Sequence, residues 1–154
     1  MDGNHKLSHW NIIITGCVDV YSRYGLYYTA ITDNKQVTTL QCFCRGMHVE
    51  NQQRLPLKLR MDDGTENGGI ELFMNSNGRC GGVRRGDSKK NQRIESSWKF
   101  VNDITAPFAE TFYHLTRAGK LNADSHLDLW CLHCVFLPII QVSGGASMRQ
   151  RADT

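Results

Sequence analysis

The sequence predicts a single α/β domain, and three observations support this. The chain has 154 residues, of which 40% are hydrophobic and 21% are charged, as is ordinary for one soluble globular domain. Two apolar runs rich in β-branched residues lie near the N-terminus and indicate strands. Apolar residues then recur at helical spacing through much of the second half of the chain.

The predicted strands lie mostly in the first half. Residues 10–18 and 26–32 are apolar, β-branched runs separated by turn-forming residues, so we expect them to form an antiparallel hairpin. Residues 37–47 carry apolar side chains three and four positions apart, which predicts an amphipathic helix. A further short strand is predicted over 57–61, where apolar and basic residues alternate.

The rest of the chain is predicted to be loop and helix. Residues 64–90 are rich in Gly, Asn and Ser, with one short helix near 70–74. A long helix is expected from about Asn91, broken or kinked by Pro107 and ended near Gly119. A last helix is predicted over 127–137, stopped by Pro138. We assign residues 1–142 to the folded domain and 143–154 to a disordered tail.

The distribution of charge is more informative than the net charge of +3. Between positions 79 and 93 the only acidic residue is Asp87, whereas the basic residues are Arg79, Arg84, Arg85, Lys89, Lys90 and Arg93. This segment would attract a polyanion, although a solvated basic loop explains the same pattern. The chain has no uninterrupted apolar run of membrane-spanning length and no apolar region at its N-terminus, so neither a membrane span nor a secretory signal is expected.

The cysteines leave two interpretations open. Cys131 and Cys134 flank His133, a spacing that zinc sites also use. No second pair of ligands stands at the distance expected of a zinc finger, and the surrounding segment is strongly apolar. Buried free thiols are therefore favoured over a zinc-stabilised binding module.

Three acidic residues are placed where they could gather a hard cation. Asp2 precedes the first predicted strand, Asp62 ends the strand over 57–61, and Glu95 lies on the first turns of the long helix. Mg²⁺ prefers oxygen ligands, and two such ions about 4 Å apart can serve phosphoryl transfer. On spacing alone, a turn at Asp62 and a surface position for Glu95 explain the same residues.

Four motifs occur in order over residues 2–140. They are Asp2-Gly3-Asn4-His5-Lys6-Leu7, Arg60-Met61-Asp62-Asp63-Gly64-Thr65-Glu66-Asn67, Asn91-Gln92-Arg93-Ile94-Glu95-Ser96-Ser97-Trp98, and a closing segment ending Val135-Phe136-Leu137-Pro138. In these motifs the chain resembles the integrase catalytic core domain, in the eukaryotic branch of the DDE transposase and retroviral-integrase family. The third motif is the most specific match.

The resemblance implies a ribonuclease H-like mixed sheet flanked by helices, and polynucleotidyl transfer on DNA with two Mg²⁺ or Mn²⁺ ions. Asp2, Asp62 and Glu95 would be the catalytic residues and the metal ligands. The basic segment would contact the nucleic acid through Arg84, Arg85, Lys89, Lys90, Asn91 and Arg93. Because the first acid is residue 2, the first strand of the sheet is expected to be missing.

A second function is compatible with the same resemblance. A decayed or domesticated domain could retain the fold and bind nucleic acid without catalysis. In either case the expected partner is DNA and no membrane is involved. A homo-oligomer would agree with the multimers that members of this family usually form, and the expected location is nuclear or intracellular.

Overall fold

The described part of the chain has a mixed α/β fold with small sheets, as predicted. The structure is a computed structural model that describes residues 1–49, 54–86 and 92–149, with side chains except at 49, 92–97, 100 and 144–149. The elements are β1 (Asp2–Asn4), β2 (Ile13–Val18), β3 (Gly25–Ile31), α1 (Gln36–Val49), β4 (Leu59–Met61), α2 (Gly68–Ser76), β5 (Val83–Arg85), α3 (Gln92–Arg117) and α4 (His126–Arg149).

The larger sheet has three strands in the order β1–β2–β3, and both pairs are antiparallel. The β2–β3 pair confirms the predicted hairpin. The first strand of the sheet was predicted to be missing. That prediction was wrong, because the sheet has a short first strand, β1, in which Asp2 lies opposite Gly16 of β2. A three-residue ladder is enough to give Asp2 a defined place in the sheet.

The second sheet is a parallel pair of β4 and β5 with Arg60 opposite Arg84 at its centre. The strand at β4 was predicted, whereas β5 was missed. Its residues stand inside a segment rich in glycine and arginine, whose composition predicts a loop. The pairing with β4, which is a contact distant in sequence, makes this short stretch a strand.

Helices pack against both faces of the larger sheet, around two buried clusters. Tyr28 belongs to the cluster under α3 and α4, whereas its neighbour Tyr27 belongs to the cluster under α1 and α2. Successive side chains of a strand point to opposite faces, so this division follows directly from the pleat of β3. Asp2, the first of the three predicted catalytic acids, accepts a hydrogen bond from Trp98 of α3 and so contacts the helix that covers this face.

Two prolines that were expected to interrupt helices do not end them. α3 continues through Pro107 and α4 through Pro138, so a break at the first and a stop at the second are both wrong. The alternative of a kink at Pro107 stays a prediction. A proline removes one helical hydrogen bond and adds a steric clash. Val101 and Phe112, on either side of Pro107, are both buried in the same cluster, and this packing keeps the helix together.

The C-terminal ends of the two long helices were predicted with different success. Gly119 has a φ of +68°, and its N–H donates to the Thr116 carbonyl at 3.1 Å while that of Lys120 donates to Leu115 at 2.9 Å. These bonds form the glycine-terminated cap that was predicted for α3. α4 extends to Arg149, past the boundary placed at residue 142, and residues 150–154 of the predicted tail lie outside the described residues.

Candidate active site

The first acid of the predicted site is held by two hydrogen bonds. Asp2 Oδ1 accepts the backbone N–H of Gly3 at 2.8 Å, and Oδ2 accepts the indole Nε1–H of Trp98 at 3.0 Å. Trp98 belongs to α3 and is buried at 7% exposure, with its ring edge-on to Tyr28 at 5.4 Å between centroids. The carboxylate is therefore oriented by a side chain whose own position is set by the core.

The second acid also has a fixed orientation. Asp62 follows β4 directly, and its Oδ1 accepts the side-chain N–H of Asn67 at 2.5 Å. Asn67 is buried at 2% exposure and stands where the short 3₁₀ turn Thr65–Asn67 leads into α2. A buried amide needs hydrogen-bond partners, so Asp62 and Asn67 stabilise each other's position.

The third acid, Glu95, lies in α3, and its side chain is outside the described part of the structure. The backbone places it one helical turn before Trp98 and two turns before Asn102. Both of these residues contact β1, since Asn102 Oδ1 accepts the side-chain N–H of Asn4 at 2.8 Å. α3 is thus attached across β1 on the helix face that carries Glu95.

One further bond links β1 to the strand that leads to the second acid. The N-terminal ammonium nitrogen of Met1 donates to the carbonyl of Arg60 at 2.8 Å. Met1 is also buried in the same cluster as Leu59 and Met61 of β4. The residues that precede Asp2 and Asp62 therefore contact each other through a hydrogen bond and through packing in one buried cluster.

We expect a measurable coupling between Asp2 and Trp98. A hydrogen bond to a charged group contributes about 1.5–3 kcal/mol, and the partly exposed position of this bond reduces that to about 1 kcal/mol. In a double-mutant cycle of Asp2→Ala and Trp98→Phe, the two losses in the free energy of unfolding should differ from additivity by that amount. Losses in urea unfolding that add within about 0.3 kcal/mol would show that the bond does not form.

The residues predicted to contact nucleic acid fall into three groups. Arg84 is exposed on β5 and has no carboxylate partner among the described side chains. Arg85 is engaged, since its Nε lies 3.1 Å from Glu71 Oε2 and its Nη2 donates to the Gly64 carbonyl at 3.3 Å. Lys89, Lys90 and Asn91 lie outside the described residues, as does the side chain of Arg93. Contact with DNA stays a prediction for all six positions.

One basic residue beside this site was missed by the sequence reasoning. Arg60 is exposed at the centre of β4, next to Arg84 in the parallel pair. The signal was present in the alternation of apolar and basic residues over 57–61, which predicts that the basic side chains share one face of the strand. What the sequence could not show is that β5 exists and brings Arg84 alongside.

The zinc interpretation finds no support among the described residues. Cys131 and Cys134 are exposed on α4, whereas His133 faces inward and its Nε2 lies 2.8 Å from the Trp10 carbonyl. Buried thiols were expected at both positions, and that prediction was wrong. Burial does raise the pKa of the Cys17 thiol on β2, so this cysteine is an inert part of the core.

The chemistry of Asp2 and Asp62 suits a hard divalent cation. Their carboxylate oxygens are the donors that Mg²⁺ and Mn²⁺ prefer, and the three oxygens with protein partners each keep a further lone pair. Among the described side chains, no group of three or more His, Cys, Asp and Glu lies close enough to hold a metal ion. Glu95 is outside that set.

In the described ranges, one helix is long and apolar enough to cross a membrane, by length and composition only. It is α4, over His126–Ser143. A single helix of this kind is weak evidence, because a core helix of a soluble protein passes the same test. α4 does contribute Leu129, Leu132 and Ile140 to the buried cluster under the larger sheet.

Asp2 lies in β1, Asp62 follows β4, and α3, the helix that includes Glu95, is hydrogen-bonded to β1. A family model described as "Integrase core domain" matches residues 1–149. The chain therefore belongs to the integrase core domain family, whose domains act on DNA and generally use divalent metal ions. Searches of curated proteins and of solved structures found no match to the chain.

Proposed function

We propose that this domain cuts or joins DNA strands by two-metal polynucleotidyl transfer on a ribonuclease H-like scaffold, with Asp2, Asp62 and Glu95 as the catalytic residues. The domain architecture supports this proposal, since antiparallel strands are followed by a helical crossover and a further strand. The observation that carries it is the hydrogen bond from the Met1 nitrogen to the Arg60 carbonyl.

The direction of the strands explains why this bond matters. β1 and β3 are both antiparallel to β2, so they run the same way. α1 forms a helical crossover between β3 and β4, a connection that typically joins parallel strands. If β4 runs parallel to β1, a bond from Met1 to the Arg60 carbonyl sets Met1 level with Met61. Asp2 is then level with Asp62 at the ends of adjacent strands.

α3 would bring the third acid to the same place. Trp98 and Asn102 attach the helix to Asp2 and Asn4, two residues apart on β1. Following the helix backward from Asn102 to Trp98 therefore leads along β1 toward Asp2. One more turn leads to Glu95, beyond the end of β1 at which Asp2 lies.

Each residue would then have a simple role. Asp2, Asp62 and Glu95 would hold Mg²⁺ or Mn²⁺. The metal would lower the pKa of the attacking water or hydroxyl group and would stabilise the negative charge that develops on the leaving oxygen. Trp98 and Asn67 hold the two aspartates in orientation through their hydrogen bonds. Orientation set before the substrate arrives lowers the cost of assembling the site during the reaction.

An inactive domain that only binds nucleic acid is the second candidate. Both oxygens of Asp2 and one oxygen of Asp62 already have protein partners, which would suit a site that has become structural. Both candidates take DNA as the ligand, and both place the protein in the nucleus or elsewhere inside the cell. The two candidates differ in whether a strand is cut.

Nicking of a supercoiled plasmid tests this difference without knowledge of the natural DNA ends. The wild-type protein should nick the plasmid in Mn²⁺ or Mg²⁺ and not in EDTA. Glu95→Gln should reduce the rate about 100- to 1000-fold, since removing one charge-stabilising group costs about that much. The fraction of nicked plasmid on an agarose gel, followed over time, measures the effect.

Glu110→Gln is the matched control, because Glu110 is exposed on the same helix, about four turns after Glu95. It should nick at the wild-type rate. Wild-type protein that binds the plasmid and never nicks it in either metal would overturn the proposal and leave the DNA-binding candidate. Equal activity of the two Glu variants would remove Glu95 from the site.

A further inference from the structure

Arg60 and Arg84 form a pair of adjacent positive charges beside the candidate active site. They are partners in the parallel register of β4 and β5. Neighbouring strands lie about 4.8 Å apart, and residues in register point to the same face. Both side chains are exposed, whereas Leu59 and Met61 on either side of Arg60 are buried on the opposite face.

This pair has no neutralising partner among the described side chains. Arg85, the next residue on β5, forms an ion pair with Glu71. Among the described side chains, neither Arg60 nor Arg84 has such a partner. Like charges directly opposite each other in a sheet are destabilising. An anion bound between the two guanidinium groups would relieve this repulsion.

The direction of Arg60 also agrees with a role at the active site. Its Nη2 atom lies 3.6 Å from the point where a Cβ on Gly86 would stand, so the side chain extends across the end of β5. This is the end of the pair at which β4 passes into Asp62. The guanidinium therefore extends toward the side of the sheet where the second acid lies.

We propose that Arg60 and Arg84 together hold one backbone phosphate of the DNA next to Asp62. A phosphodiester has two non-bridging oxygens, and the paired N–H donors of a guanidinium match them in a way that the single ammonium of lysine cannot. Such a contact positions the strand and reads no sequence. The inference rests on the proposed function, because it takes the DNA backbone as the ligand.

Fluorescence anisotropy with a labelled 20-base-pair DNA duplex, in Ca²⁺ or EDTA and over a range of salt, tests the pair. The double variant Arg60→Gln, Arg84→Gln should bind about 10-fold more weakly, and its slope of log affinity against log salt should be shallower by about 1. The double variant Arg45→Gln, Arg117→Gln has the same net charge, alters exposed residues on α1 and α3, and should bind nearly as the wild type does.

The single variants test whether one phosphate is shared. If it is, either substitution alone removes most of the contact, so the two single losses sum to more than the double loss. Losses that add, or a double variant with the affinity and slope of the control double variant, would overturn the inference. The urea midpoint of the Gln variants should equal or exceed that of the wild type, because a repulsion is removed.

The binding assay is separate from the test of the proposed function. It needs no catalysis, so a failure of the arginine pair leaves nicking by the wild-type protein unaffected. Conversely, a wild-type protein that does not nick DNA would disprove the proposed function. The phosphate contact would then still be measured by the loss of affinity in the double variant.

Discussion

Asp62→Asn is expected to reduce metal-dependent nicking about 100- to 1000-fold and to weaken Mn²⁺ binding in calorimetry. The substitution preserves the size of the side chain and removes its charge. The Asn67 amide can still donate to the oxygen that remains, so the loop after β4 should keep its conformation. The loss of nicking and of Mn²⁺ binding would therefore be caused by the missing carboxylate charge and not by a change in folding.

Asp63→Asn is a closely matched control for this prediction. It makes the same chemical change one position along the chain, at a residue that is exposed. Nicking and Mn²⁺ binding by Asp63→Asn should equal those of the wild type. A similar loss in both variants would mean that only the overall charge of the turn matters, and full activity of Asp62→Asn would exclude it as a ligand.

The sequence could locate the acids but not what holds them. Asp62 and Glu95 were identified from motifs, because the order of residue types along a chain is itself a signal. The partners of the aspartates were missed, since Trp98 is 96 residues from Asp2 and no local pattern indicates that bond. Asn67 lay inside a recognised motif, yet only the fold shows that it donates to Asp62.

The basic surface shows a similar limit. Composition identified the segment around β5 as positively charged, but it could not distinguish Arg84 from Arg85. In the structure the two neighbours point to opposite faces of the strand, one toward solvent and one toward Glu71 on α2. A count of charges cannot separate these two arginines. Because successive side chains of a strand point to opposite faces, Arg85 reaches Glu71, whereas Arg84 stays exposed and accessible to a ligand.

Helix ends were the least predictable feature, for a related reason. Pro107 and Pro138 carry a local penalty that the sequence shows plainly. The packing that outweighs it comes from residues distant in sequence, such as Trp10 against Phe112. The α/β fold class was still predicted correctly, because the periodicity of strands and helices is a local property of the sequence. Element boundaries depend on contacts that form only in the folded chain.

Phe112→Ala should have the largest effect on stability, at about 3–5 kcal/mol in the free energy of unfolding measured with urea. Phe112 is fully buried on α3, with its ring edge-on to Trp10 at 5.2 Å and to Phe136 of α4 at 4.9 Å. It joins both long helices to the segment between β1 and β2, so the cavity would open where three elements meet.

Tyr21→Ala is the control for that loss, because it also removes an aromatic ring, from a residue that is 97% exposed. Its cost should stay within about 0.5 kcal/mol. A Phe112→Ala cost below about 1 kcal/mol would contradict the packing of α3 on α4. The expected loss is a large part of the 5–15 kcal/mol that stabilises a typical domain. α3 also holds Trp98 against Asp2, so loosening its core contact should lower nicking activity at temperatures where the variant is still folded.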